Sequence, residues 1–205
     1  MIEAFPRMLY NFVFAYRALS LLFIKSMMKY ITYTISFVCI MMTCACVTEE
    51  DTPDRSLGPG DRVPYFSVVT NNGTAFSTQD IFSQISVITF FNTSCTDCQH
   101  ELPELQKVYE ECQNGDMPVT FVCIAREETE ADIKAYWAQN ALSLPYSAQK
   151  DRRIYNLFAT SGIPRIYITT PSDNGPIIAV AYTDTAPPDA GTLLYKLHEI
   201  AATLE

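Results

Sequence analysis

Cys95-Thr96-Asp97-Cys98 is the stretch of this chain best equipped for chemistry. Its two thiols follow the apolar run Val87-Ile88-Thr89-Phe90-Phe91 and stand at the head of a helical pattern. A strand that hands over to a helix there places the first thiol beside unpaired backbone N–H groups and the positive end of the helix dipole. That setting favours thiolate, the form that attacks disulfides. Cys98, one helical turn further in, is expected to be more buried and to hold its proton more tightly. A single CxxC also reads as half a zinc site or as coincidence. A structural zinc ion takes four protein ligands, and the only extra candidate nearby is His100. Glu101 stands three residues after Cys98, so the two share a helix face. A carboxylate there can exchange a proton with Cys98, or can simply suit the positive end of the helix.

Strands and helices must alternate to hold such a site. Val63 to Val69 reads as a strand, Asn71-Asn72-Gly73 as a turn, Thr78 to Phe82 as a short helix and Ser86 to Phe91 as a fully buried strand. From Cys98 to Cys112 the apolar residues Leu102, Leu105, Val108 and Tyr109 recur at helical spacing, with Pro103 inside the run. Strand Val119 to Ala125 follows, then helix Thr129 to Asn140 opened by Thr-x-x-Asp, then a helix from Asp151 to Phe158. Strands Arg165 to Thr170 and Pro176 to Tyr182 flank the turn Ser172-Asp173-Asn174-Gly175, and Asp189 to Leu204 closes the chain as a helix. The pattern is α/β, a mixed sheet covered on both faces.

The front of the chain has a different character. No charged residue occurs from Ile31 to Thr48, Lys25 and Lys29 precede that run, and Glu49-Glu50-Asp51 follows it, as in an export signal. Residues 1–45 are read as this signal region, and Met27-Met28 followed by Lys29 makes a natural start, which would leave residues 1–27 outside the working protein. Thr43-Cys44-Ala45-Cys46 resembles a bacterial lipoprotein cleavage box, with Cys46 as the lipidated residue and a membrane anchor. The run is also long enough to remain as an uncleaved anchor. Residues 46–60 lack periodicity and read as a flexible tether, and residues 61–205 as the folded domain. Removing residues 1–45, with four basic side chains and one acid, takes the formal charge from −9 to −12. So acidic a domain excludes binding to nucleic acid through a basic surface. Four cysteines remain beyond Cys46, too few for a disulfide-built scaffold, and Cys112 and Cys123 read as buried bystanders or as a bridged pair. His100 and His198 read as exposed helix residues.

From about Gly60 onward the chain resembles exported thioredoxin-fold proteins of the TlpA/ResA type, relatives of the AhpC/TSA proteins. The residues that carry the likeness are Gly-Asp-Arg-Val-Pro-Tyr-Phe, then Phe-Phe-Asn-Thr-Ser-Cys-Thr-Asp-Cys-Gln-His-Glu-Leu-Pro, then Gly-Ile-Pro-Arg. The resemblance implies a central mixed sheet flanked by helices, with an N-terminal strand extension and a strand-helix insertion. It makes Cys95 the nucleophile, Cys98 the resolving thiol and Glu101 the acidic residue beside them. It makes the Ile163–Pro164 bond cis, packed opposite Cys95, with the backbone of Ile163 available to an extended substrate strand. The implied activity is protein-disulfide reduction in exported, cysteine-containing clients by a monomeric, membrane-tethered domain of the periplasm or cell envelope. A membrane thiol carrier would supply the electrons, and the Cys95–Cys98 disulfide would be the only redox group. The alternatives are a disulfide isomerase, a soft-metal module holding copper, and a peroxidase. Asn92 weakens the last, because it stands three before Cys95, where Thr or Ser would polarise a peroxide. Thr89 occupies the position where many thioredoxins carry a buried Asp, which shifts the proton work toward Glu101.

Overall fold

Seven consecutive buried residues, Ile85–Phe91, form the central strand of a five-stranded sheet in the computed structural model, which describes residues 56–115, 117–183 and 188–204 together with Met28. The expected export region 1–45, Cys46 and the front of the expected tether lie outside the described residues. Among the described residues no helix is long and apolar enough to cross a membrane.

The strands are β1 (Ser67–Val69), β2 (Ala75–Ser77), β3 (Ile85–Phe91), β4 (Val119–Ala125), β5 (Tyr146–Ser147), β6 (Arg165–Thr170) and β7 (Ile177–Tyr182). The helices are α1 (Thr96–Asn114), α2 (Glu130–Gln139) and α3 (Ala190–Ala201), with 3₁₀ turns at Thr78–Ile81 and Tyr155–Leu157. The main sheet runs β5-β4-β3-β6-β7, with β4 parallel to β3 and β5, and β6 antiparallel to β3 and β7. β1 and β2 form a separate antiparallel pair. The mixed sheet of the sequence reading is therefore present.

Alternation along the strands divides the core in two. Ile85, Val87 and Phe91 of β3 and Val119, Phe121, Cys123 and Ala125 of β4 pack with the buried faces of all three α-helices. Ile88, Phe90, Val122 and Ile124 point the other way, into a cluster with Phe66, Phe76, Tyr155, Phe158 and Tyr167. Phe90 lies edge-on to Tyr155 at 5.5 Å and 4.9 Å from Phe158.

Some elements differ from expectation. Strand structure begins at Ser67 rather than Val63, since Pro64 lacks the N–H a ladder needs. β2 and β5 are additional, three and two residues long. The helix expected over Asp151 to Phe158 is reduced to the 3₁₀ turn at Tyr155–Leu157. The last five residues of the expected tether are pinned to the domain: Ser56 bridges Ala159, Leu57 N donates to Phe158 O at 2.8 Å and Gly60 N to Ile178 O at 2.8 Å.

The inserted strand and helix are fastened to α1 by the buried Gln106. Its Oε1 accepts from the backbone N–H groups of Ser143 (2.8 Å) and Leu144 (3.1 Å), just ahead of β5. Gln106→Leu keeps the volume and strands those donors, so it is expected to destabilise the domain by about 1–3 kcal/mol in urea unfolding. An unchanged midpoint would show that water takes over both bonds.

Candidate active site at the start of α1

β3 and β4 end together, Phe91 opposite Ala125, and Arg126 N donates to Phe91 O at 2.8 Å. The chain then turns at the carboxyl edge of the sheet, where open α/β folds expose their reactive groups. Asn92 builds the turn. Its Oδ1 accepts from Ser94 N at 2.9 Å, its Nδ2 donates to Arg126 O at 3.0 Å, and its carbonyl accepts from Cys95 N at 3.1 Å.

Cys95 is the N-cap of α1, in extended backbone conformation, and its sulfur accepts from Cys98 N at 3.5 Å. An N-cap ordinarily offers oxygen to that orphan amide. The same Cys95 thiol is half-buried and donates to Ile163 O at 3.6 Å, across the cis Ile163–Pro164 bond. Cys98 is fully buried, and burial pushes its thiol far above the ordinary cysteine range, aided by the hydrogen bond and charge of Cys95 and opposed by the Asn92 backbone. The two cysteines, Ile163 and Pro164 are thus brought together. Cys95 and Cys98 are free thiols, as are the buried Cys112 and Cys123.

Glu101 lies one turn beyond Cys98 and is only 1% exposed, with neither carboxylate oxygen hydrogen-bonded. Burial, with a smaller push from Glu104, raises its carboxyl to about 8. Thr89, in the central strand, is also buried, and its hydroxyl has no hydrogen-bond partner. His100 is exposed, as is His198. Among the described residues no group of three or more His, Cys, Asp or Glu is placed to hold a metal ion.

Two further side chains shape the site. Glu128 is buried at the end of the β4–α2 loop, where Glu127 takes a left-handed turn with φ 59°. Its carboxylate accepts from Thr93 N at 2.9 Å and from the Thr93 hydroxyl, bracing the turn before Cys95. No spacing in the sequence announces that contact. Arg165, the residue after the cis proline, has 0% exposure and donates through Nε to Ser161 O at 2.8 Å and through Nη1 to Ser56 Oγ at 2.5 Å. In the sequence Arg165 stands out only as the last residue of Gly-Ile-Pro-Arg and the one charge at the head of an apolar strand pattern.

The AhpC/TSA family model matches residues 59–173, more than half of the chain, and that span contains the whole arrangement around Cys95. The chain belongs to the AhpC/TSA family. Within the curated proteins this AhpC/TSA domain is similar to the thiol-disulfide oxidoreductase ResA of Bacillus cereus, 22% identical over 109 residues, which are 53% of this chain and 62% of ResA. The chain therefore spans less than two thirds of the length of that relative. In fold it is similar to a thiol:disulfide interchange protein of the thioredoxin family from Chlorobium tepidum, with a TM-score of 0.57, 20% identity, and coverage of 71% of this chain and 98% of the other. It is also similar to a secreted disulfide oxidoreductase of Mycobacterium tuberculosis homologous to Escherichia coli DsbE, with a TM-score of 0.56, 19% identity, and coverage of 65% and 95%. The AhpC/TSA domain thus has a thioredoxin-like fold.

Glu101 gives the domain a pH signature. Its carboxyl ionises near the usual 4.5 when unfolded and near 8 when folded, so the folded state holds the extra proton between those values. Stability is expected to fall as pH rises through that window, by up to about 1.4 kcal/mol per pH unit. Glu101→Gln should flatten the fall, which urea titrations at pH 5, 6, 7 and 8 would read. Parallel curves for the two proteins would contradict the assignment.

Proposed function

We propose that this protein is an exported, membrane-tethered thiol-disulfide oxidoreductase that reduces disulfides in other exported proteins through Cys95 and Cys98. One observation carries the reading: the Cys95 sulfur sits at the start of a helix, on the Cys98 amide, and against the carbonyl that precedes a cis proline. The names of the ResA and DsbE-like relatives point the same way.

The Cys95 thiolate attacks one sulfur of a client disulfide. The client S–S bond breaks, the released client thiolate takes up a proton, and Cys95 is left in a mixed disulfide. Cys98 then gives up its proton and attacks Cys95, which frees the second client thiol and leaves a Cys95–Cys98 disulfide. The client gains two electrons and the pair loses two. The second step is fast because attacker and target are one helical turn apart, at a high effective concentration. Glu101 in its ionised form, a fraction that grows as pH rises toward 8, is the proton acceptor for Cys98. Its raised affinity lies closer to that of a buried thiol than an ordinary carboxylate's does, so the transfer is less uphill.

Burial keeps Cys98 a neutral thiol, so the reduced pair gains nothing there from the thiolate stabilisation that marks strong oxidants, which supports reading the protein as a reductant. Turnover then needs an electron source, which this reading assigns to a membrane thiol carrier. The uncharged run before Glu49 and the box ending at Cys46 support export and lipid anchoring at Cys46. The secreted Mycobacterium tuberculosis relative supports an extracytoplasmic site of action.

The pair is expected to titrate near thioredoxin's potential of about −270 mV in dithiothreitol buffers. A value near about −120 mV would make the protein an oxidant instead. Cys98→Ser should accumulate a mixed disulfide with a disulfide-bonded peptide, visible by mass spectrometry, and Cys95→Ser should not. A Cys95→Ser protein that still forms the adduct would remove Cys95 from the nucleophile's role. Cys46→Ala should release the protein from the membrane fraction, and retention there would point to an uncleaved helical anchor.

A further inference from the structure

The loop that carries Ile163 is gripped from inside the domain. Arg165 Nε lies 2.8 Å from Ser161 O and 3.3 Å from Gly162 O, and Nη2 also donates to Ser161 O. The buried Tyr155 hydroxyl lies 2.6 Å from Gly162 O and also reaches Ser161 O. Gly162 is left-handed at φ 77°, and a Cβ there would stand 3.3 Å from Arg165 Nη2, so the backbone lies directly on the guanidinium. The Tyr155 ring is held in turn by Phe90 at 5.5 Å and by the guanidinium groups of Arg126 at 5.2 Å and Arg152 at 5.1 Å. Of three successive carbonyls, two face inward to Arg165 and Tyr155, and the third, that of Ile163, accepts from the Cys95 thiol.

Stability alone is a weak reason for this arrangement. Ser161 and Gly162 are exposed residues on a surface loop, while their carbonyls turn inward. A fully buried charge, moreover, is often replaceable by an apolar side chain without loss of stability. What a planar, multidentate donor adds is geometry.

We infer that Arg165, assisted by Tyr155, is a positioning residue for the client: it fixes the Ser161–Gly162 backbone so that Ile163 stays against Cys95 and presents a set edge to an extended, cysteine-containing segment. This rests on the disulfide-exchange reading above. The edge pairs with the client's main chain, as an added strand does, so the clamp acts on client affinity more than on the chemical step.

The test uses the full chain in mild detergent, with insulin as the disulfide substrate and dithiothreitol as the electron source. Arg165→Met is expected to raise KM for insulin about fivefold, the loss of one ordinary hydrogen bond, with kcat changed less than about twofold. Hydrogen exchange of the 160–163 amides should rise while that of β3 stays as it was. Arg165→Lys, which keeps the charge and loses the fork, should fall between the two. An unchanged KM, or a fall in kcat at constant KM, overturns the positioning role. If Arg165→Met does not fold, Tyr155→Phe decides: about a twofold rise in KM supports the clamp and no rise overturns it. If the unaltered protein fails to reduce insulin while loop exchange still rises in Arg165→Met, the clamp stands and the redox reading falls.

Discussion

A helix must satisfy its first amides, and here the Cys98 amide is met by the sulfur of Cys95. The atom that caps α1 is the one to which the proposed function gives the chemistry, and its position is fixed by the helix it begins. Everything around it serves that fixation. β3, buried along its whole length, sets where the chain leaves the sheet, and Asn92 and Glu128 shape the turn from one side. The cis-proline loop closes on the sulfur from the other side through Ile163 O.

The two thiols are then treated unequally by the same helix. Cys95 stands at its open end, half-exposed, while Cys98 belongs to the apolar cluster beneath and Glu101, one turn on, is buried. Burial has little tolerance for negative charge, and it raises both the Cys98 thiol and the Glu101 carboxyl. Thr89 brings a hydroxyl, not a second carboxyl, to the central strand, which leaves Glu101 without a competing acid there.

Local signals made most of this frame legible. The Cys95/Cys98 spacing, the apolar run of β3, the helical recurrence in α1 and the Thr129-x-x-Asp132 cap all depend on neighbours in sequence, and their elements stand where expected. The cis state of Ile163–Pro164 came from the resemblance, since spacing alone cannot specify it. What stayed hidden is what distant residues decide. β2 and β5 are too short for a period to register. The helix expected before Phe158 yields to a 3₁₀ turn, where Tyr155 fits its ring against Phe90 and its hydroxyl to the Ser161 and Gly162 carbonyls. Glu128 and Arg165 draw their meaning from partners that become neighbours only in the fold, such as Thr93 and Ser56.

The attachment of Ser56 and Leu57 bears on where this domain can be cut. Periodicity begins near Val63, and a truncation starting at residue 61 looks harmless from the sequence. Such a cut would strip the Phe158 carbonyl of its Leu57 donor and the Arg165 guanidinium of Ser56 Oγ, both on the inner side of the loop that faces Cys95. The domain's own contacts therefore reach back to Ser56, and fragments trimmed more closely would carry an intact pair of cysteines beside a loosened wall.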